Sequence, residues 1–197
     1  PFALMTRPPE FGVRYSVLVL LDRDGVINHD RPDSIKNPDE FVMIDGSAKA
    51  IARLNAARHQ VAIITNQSII GRGTIDRAML DRIHEKMTAA LSREKASIDR
   101  LYFCPDAPWE ATDRRKPGPG MLREALSDFS ASASQTPFIG DNITDMQAAL
   151  KAGCPRILVR TGKGADIQAS GKLADVLPVK IHENLSDAVA DLLGDVG

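Results

Sequence analysis

Cysteine is nearly missing from this sequence: Cys104 and Cys154 are the only two among 197 residues. So few thiols argue against a disulfide framework and for a reducing, cytoplasmic setting. Long apolar runs are missing as well, and none approaches the roughly 20 residues that cross a bilayer. Nor is there an excess of either charge, since 25 basic against 26 acidic side chains leave a net charge of -1. That balance gives no reason to look for a nucleic-acid or membrane partner. The opening PFALMTRPPEFGVRY has neither the apolar core of a signal peptide nor the amphipathic pattern of a transit peptide. It reads as an N-terminal extension over 1–15. No internal repeat or interdomain linker is evident. What is present is a globular composition, 43% apolar and 26% charged, with enough chain over 16–197 for one well-cored domain.

Strand-like and helix-like patterns alternate along that stretch. The run SVLVLL (16–21) reads as a strand, and the proline-punctuated HDRPDSIKNPDEF as a loop or flap. A helix is expected over 46–58 and a strand over 60–65. A second helix is expected over 74–93, where Ile75, Met79, Ile83 and Met87 recur every four residues behind Thr74 as N-cap. Further strands are expected over 99–104, 136–141, 155–160 and near 174–179. Helices should follow Pro117 and Asp141, the latter with Ile143, Met146 and Leu150 inward and Gly153 as C-cap, and a last one should begin near Ser186. Such alternation implies α/β architecture, a Rossmann-like three-layer sandwich with a central parallel sheet. Ligands then bind beyond the carboxyl ends of the strands. Those ends carry Asp22 and Asp24, then Thr65 and Asn66, then Lys116 after a loop, then Gly140 and Asp141.

Two aspartates set two apart at the end of an apolar strand repel one another, and each costs free energy to bury unless something positive sits between them. DRDG (22–25) is therefore either a solvated turn, which its composition suits, or a place for a cation and an anionic substrate. In the second reading Asp22 is nucleophile and metal ligand, Asp24 is general acid and base, and Gly25 permits the sharp turn. Thr65 and Asn66 offer a hydroxyl and a backbone N–H to a phosphate oxygen, or they simply end a strand. Lys116, between Arg115 and Pro117, is a point charge for phosphate or part of a solvated basic loop. Asp141 and Asp145 share one face at a helix start, where acids are favoured by the helix dipole alone. Alternatively Asp141 completes a magnesium shell while Asp145 holds Lys116 or a metal-bound water. Each signal is weak alone; one at every strand end is a poor coincidence.

Taken together, DRDGVIN, ITNQ, RKP and GDNITD, which span 22–145, resemble the four motifs of the haloacid dehalogenase superfamily of phosphotransferases. The resemblance implies an aspartyl-phosphate on Asp22, proton transfer by Asp24 and a phosphate held by Thr65 and Lys116. It further implies magnesium on Asp22, Asp141 and the main-chain carbonyl of Asp24, with Gly25, Asn142 and Asp145 in support. The presence of Asp24 argues for a phosphoester over a halide, because a departing alkoxide needs a proton. The stretches between the first three motifs are filled by the flap, helices and strands already counted, which leaves no separate cap domain.

More narrowly, DRDGVIN, TNQS followed by GRG (71–73), and RRKPGPGM (114–121) resemble the histidinol-phosphate and heptose-bisphosphate phosphatase branch. That resemblance implies a small phosphorylated metabolite as substrate, with Asn28, Asn66 and Gln67 near it. A bisphosphate needs a second anion site, for which Arg72 and Arg115 are candidates; each is equally at home as a solvated arginine. Many members of the branch hold a zinc ion in the loop before the lysine, through three cysteines and a histidine. Here Cys104 remains, but Asp106, Thr112 and Arg114 stand at the other positions, so no structural zinc is expected. Trp109 and the prolines are left to support the loop. His59, His84 and His182 have no metal-ligand spacing and read as structural. The expectation is a magnesium-dependent, monomeric, cytoplasmic phosphomonoester hydrolase acting on D-glycero-D-manno-heptose 1,7-bisphosphate. Histidinol phosphate or another small phosphomonoester is the alternative substrate. A non-catalytic phosphate-binding module is the reading from another class, and a polynucleotide phosphatase would want a basic surface that this chain lacks.

Overall fold

The computed structural model describes residues 16–195; the extension over 1–15 lies outside them. Six short runs form one sheet: β1 (Leu18–Leu21), β2 (Gln60–Asn66), β3 (Arg100–Cys104), β4 (Phe138–Gly140), β5 (Arg156–Val159) and β6 (Val179–His182). Their order across the sheet is β3-β2-β1-β4-β5-β6, and every pairing is parallel. Leu21 lies opposite Ile63 on one side and Ile139 on the other. The central strands are covered on both faces, which is why they read as continuous rather than alternating apolar runs.

The connecting helices are α1 (Ser47–Ala56), the single turn α2 (Ser68–Gly71), α3 (Arg77–Arg93), α4 (Gly120–Asp128), α5 (Ile143–Ala152), α6 (Gly164–Ala169) and α7 (Leu185–Leu193). The two-residue period of β1 divides the core. Val19 and Leu21 pack with Ile51 of α1, Ile83 and Met87 of α3 and Val189 of α7. Leu18 and Leu20 pack with Met121 and Leu122 of α4 and Ala149 of α5. The result is the three-layer sandwich that the alternation predicts, and no separate cap domain is inserted among the described residues. The chain leaves β1 toward β2 and β3 on one side and toward β4, β5 and β6 on the other. The crevice beside β1 is therefore the natural ligand position.

Local details differ from the sequence expectations. α3 is capped by Asp76, whose carboxylate accepts from Met79 N at 2.8 Å. Thr74 instead closes the preceding turn, donating its N–H to Ile69 O at 3.0 Å. Leu150 is 42% exposed, because Met146 and Ala149 already fill the inward face and the next residue turns away at 3.6 residues per turn. The last strand starts at Val179, later than 174–179 suggested, since Lys172–Val176 form a 3-10 turn. Gly153 does close α5, in the left-handed conformation at φ 80°.

Ile63 of β2 is fully buried in the first core cluster. Its replacement by alanine should cost about 2–5 kcal/mol of unfolding free energy, read from urea denaturation.

Candidate active site

The site grows from the carboxyl ends of β1, β2 and β4. β1 hands over directly to Asp22, whose N–H donates to Ile139 O of β4 at 2.9 Å. The chain then turns sharply: Ile27 N donates to Arg23 O at 2.8 Å and Gly25 N to Asn28 O at 2.7 Å. Gly25 adopts φ +82°, and a Cβ there would meet Asp141 Oδ2 at 2.1 Å. Gly162, at φ +60°, presses on the same oxygen equally closely. Two glycines therefore wall the Asp141 carboxylate, which also accepts from Lys163 N at 2.8 Å.

Lys116 sits at the centre. Its Nζ lies 2.9 Å from Asp22 Oδ1 and 2.8 Å from Asp145 Oδ1, and it donates to Ile64 O at 2.9 Å. Two ion pairs and one main-chain hydrogen bond thus surround the ammonium group. Asn66 aims this lysine, donating from Nδ2 to Lys116 O at 3.0 Å and accepting from Lys116 N at 3.1 Å. In effect its side-chain amide adds one more strand partner to the end of β2. Asp145 is held by the capping box of α5, in which its Oδ2 accepts from Asn142 N at 3.0 Å.

Asp24 has a different set of neighbours. Arg23 Nη2 donates to both its oxygens at 2.9 Å, Asn28 Nδ2 donates to Oδ1 at 2.8 Å and Gln67 Nε2 to Oδ2 at 2.9 Å. Gln67 also donates to Thr65 Oγ1 at 3.0 Å, so the two strand ends are tied together.

Electrostatics separate these carboxylates. Burial pushes Asp22 up to about 7, with the repulsion of Asp145 and Asp24 adding to it and Lys116 opposing. Burial likewise pushes Asp141 up to about 8, reinforced by Asp145 and Asp22. Burial would raise Asp24 too, but the Arg23 guanidinium and the Asn28, Arg23 and Gln67 hydrogen bonds outweigh it and hold it below the usual range. Lys116 is held charged by Asp145 and Asp22 against the opposing effect of burial.

Asp22, Asp141 and Asp145 each place an oxygen within 4.8 Å of the other two, and one ammonium cannot neutralise three carboxylates. Hard oxygen donors, of which Asp22 and Asp141 bind protons more tightly than free aspartate, fit a divalent cation of the magnesium type. A cleft of about 280 Å³ opens over this cluster.

The structure brings Asp22, Asp24, Thr65, Asn66, Gln67, Arg115, Lys116, Asp141, Asn142 and Asp145 together around that cleft. Two predicted substrate contacts stand elsewhere. Asn28 is fully buried behind Asp24, so it touches the carboxylate and not the cleft. Arg72 lies over the Trp109 ring, 5.9 Å from its centroid, off the cleft lining. Sequence reasoning missed Arg31 and Ser34 of the flap and Lys163, all on the cleft wall. Lys163 follows β5, so the strand-end rule applied to a fifth strand points to it. Arg23, 1% exposed, was hidden between the two aspartates.

The loop over 104–116 is fastened by hydrogen bonds. Asp106 Oδ2 accepts from Thr112 N at 2.8 Å and from the Thr112 hydroxyl, while Arg115 Nη1 donates to Asp106 O at 3.0 Å. Arg114 pairs with Glu124 of α4 and donates to Phe103 O at 3.3 Å. Trp109, expected to brace the loop, is 69% exposed; the polar pairs carry that role.

Comparison with known proteins agrees with this geometry. The HAD-hydrolase-like family profile matches residues 113–188. The chain is 40% identical over 176 residues to the D-glycero-beta-D-manno-heptose-1,7-bisphosphate 7-phosphatase of Bordetella bronchiseptica, covering 89% of this chain and 97% of that one. It is 43% identical over 147 residues to the enzyme of the same name from Pseudomonas aeruginosa, covering 75% and 83%. The crystal structure of D,D-heptose 1,7-bisphosphate phosphatase from B. bronchiseptica, complexed with magnesium and phosphate, superposes with a TM-score of 0.87 at 39% identity. That match covers 91% of this chain and 99% of the other.

The raised carboxyls predict a pH signature in the chelated, metal-free protein. Between the ordinary value of 3.8 and about 8, the folded state keeps a proton on Asp141 that the unfolded chain has released. More protons bound when folded means stability falls as pH rises. Asp141→Asn removes that penalty, so its melting temperature relative to the native protein should climb from pH 5 to pH 8. A difference that stays constant over this range would contradict the raised carboxyl.

Proposed function

Because the chain belongs to the haloacid dehalogenase superfamily, in the branch of heptose-bisphosphate phosphatases, we propose that it removes the 7-phosphate of D-glycero-β-D-manno-heptose 1,7-bisphosphate. The observation that supports this most is the buried Lys116 gripping Asp22 and Asp145 at the floor of a cleft, in a chain 40% identical to an enzyme of that name. Asp22, Asp141 and the main-chain carbonyl of Asp24 would hold magnesium, which when bound neutralises the attacking carboxylate and polarises a phosphoryl oxygen.

The remaining chemistry belongs to the side chains. Asp22 attacks phosphorus, the bond to the sugar oxygen breaks, and Asp24 delivers a proton to that oxygen. The approach of an anionic phosphate raises the proton affinity of Asp24, which takes up a proton from solvent as substrate binds and then has it to deliver. Asp24, now ionised again, takes a proton from water as general base. The water oxygen attacks phosphorus, and Asp22 is released together with inorganic phosphate. Lys116 and the Thr65 hydroxyl hold phosphoryl oxygens through both steps. Arg31, Arg115 and Lys163 give the cleft wall three cations for the phosphate at the other end of the sugar. We include monomeric, cytoplasmic operation in this reading; no helix among the described residues is long and apolar enough to cross a membrane.

The test is kcat/KM in magnesium for both anomers of the heptose bisphosphate, histidinol phosphate and simple sugar phosphates. A preference for the bisphosphate of about a hundredfold, near 3 kcal/mol, is expected. Comparable rates on all of them would contradict the substrate assignment. Asp22→Asn should reduce turnover on the preferred substrate by about three orders of magnitude or more; near-native turnover would contradict the chemistry itself.

A further inference from the structure

Arg23 heads the fully buried large side chains among the described residues, and the reaction as derived gives it no contact with substrate. A buried guanidinium needs partners for its donors. Arg23 finds them on two sides. Toward the cleft, Nε lies 3.2 Å from Asp24 Oδ1, and Nη2 lies 2.9 Å from each Asp24 oxygen. Away from the cleft, Nη1 lies 3.1 Å from His84 Nε2. Arginine has no acceptor, so His84 must accept through the Nε2 lone pair and carry its proton on Nδ1. Burial, with Arg23 adding repulsion, lowers His84 to about 4, so the ring is neutral and free to accept at working pH. The ring itself is held on α3 with Phe103 of β3 against it edge-on, the centroids 6.5 Å apart.

These contacts form a chain that runs from helix α3 through His84 and Arg23 to the carboxylate of Asp24. Asp24 Oδ1 receives Arg23 and Asn28, whose contacting groups are donors without an acceptor. Oδ2 shares one Arg23 nitrogen and takes Gln67. Oδ1 carries three contacts on the side of the buried Asn28 and Oδ2 two on the side of the cleft-lining Gln67, so Oδ2 is the oxygen placed to exchange a proton with the leaving group and with water. Rotation of the carboxylate would present the wrong oxygen, and the forked arginine prevents it.

We propose that Arg23 and His84 are positioning residues for proton transfer, His84 clamping the guanidinium so that it presents Asp24 Oδ2 to the leaving oxygen. The proposal rests on the reading of Asp24 as general acid and base. Neither residue needs to touch substrate. Glutamine at 84 can supply an acceptor oxygen in place of Nε2, whereas leucine cannot.

The experiment compares kcat/KM of the magnesium-loaded enzyme on two esters. One is an alkyl sugar phosphate, whose leaving oxygen must be protonated; the other is p-nitrophenyl phosphate, whose phenolate leaves without a proton. His84→Leu should lose about tenfold or more on the alkyl ester and far less on the nitrophenyl ester, while His84→Gln should recover most of the loss. In an Asp24→Asn background His84→Leu should change neither rate further. Arg23→Lys, which keeps the charge and loses the fork, should show the same ester dependence. It carries the test if His84→Leu fails to fold by circular dichroism. Equal losses on both esters, native rates in His84→Leu, or a glutamine variant as poor as the leucine one would overturn the proposal. If Asp24→Asn itself showed no dependence on the leaving group, the acid and base reading would fail first, which separates the two failures.

Discussion

The site depends on one ammonium group shared between two buried carboxylates. Lys116 sits between Asp22, from the end of β1, and Asp145, from the first turn of α5, and also donates to the main chain of β2. Three elements from different parts of the chain therefore meet on one side chain. Removing that charge would leave two aspartates buried without compensation, a loss of roughly 3–5 kcal/mol for a broken buried pair. The geometry explains the Asn66 clamp on the backbone of residue 116: a lysine arriving from a loop must be aimed by something rigid. It also explains the capping box, which fixes Asp145 by the same hydrogen bond that starts the helix.

Around this pair the protein sorts its carboxylates by their neighbours. Asp22 and Asp141 crowd together in a buried place and bind protons more tightly than free aspartate, the condition that a divalent cation relieves. Asp24, two residues from Asp22, is surrounded by donors and is ionised before substrate binds. Two acids in one turn thus receive opposite environments, one suited to nucleophilic attack under a cation and the other to moving protons. The loop over 104–116 shows a different economy. Asp106, Thr112 and Arg114 bond to one another, to the loop backbone and to α4. Those bonds hold Arg115 beside the cleft.

The layers and the catalytic face were legible in the sequence because fully buried parallel strands leave continuous apolar runs, and the residues after them mark the binding edge. Thr74 against Asp76 shows where that reasoning stops: both can cap, and only the tertiary path of the turn decides. Asn28 misleads for a related reason. An amide near a phosphate motif reads as a ligand contact, whereas here Asn28 is buried and holds Asp24 in place, and nothing in spacing distinguishes the two uses. Arg23 was illegible because a charged residue between two aspartates looks like part of a solvated turn; only its burial reveals that it is an internal strut. Arg31 and Lys163 lie on loops brought to the cleft by the fold, without a motif of their own.

The central claim is that Asp22 carries the phosphoryl group during turnover. It is tested most directly by mixing the magnesium-loaded enzyme with radiolabelled substrate, quenching in acid within milliseconds and mapping the label on the protein. The account predicts near-stoichiometric label on the peptide that contains Asp22, absent from Asp22→Asn and accumulating in Asp24→Asn where water is no longer activated. Turnover without protein-bound label in either the native enzyme or Asp24→Asn, or label on a different residue, would contradict it.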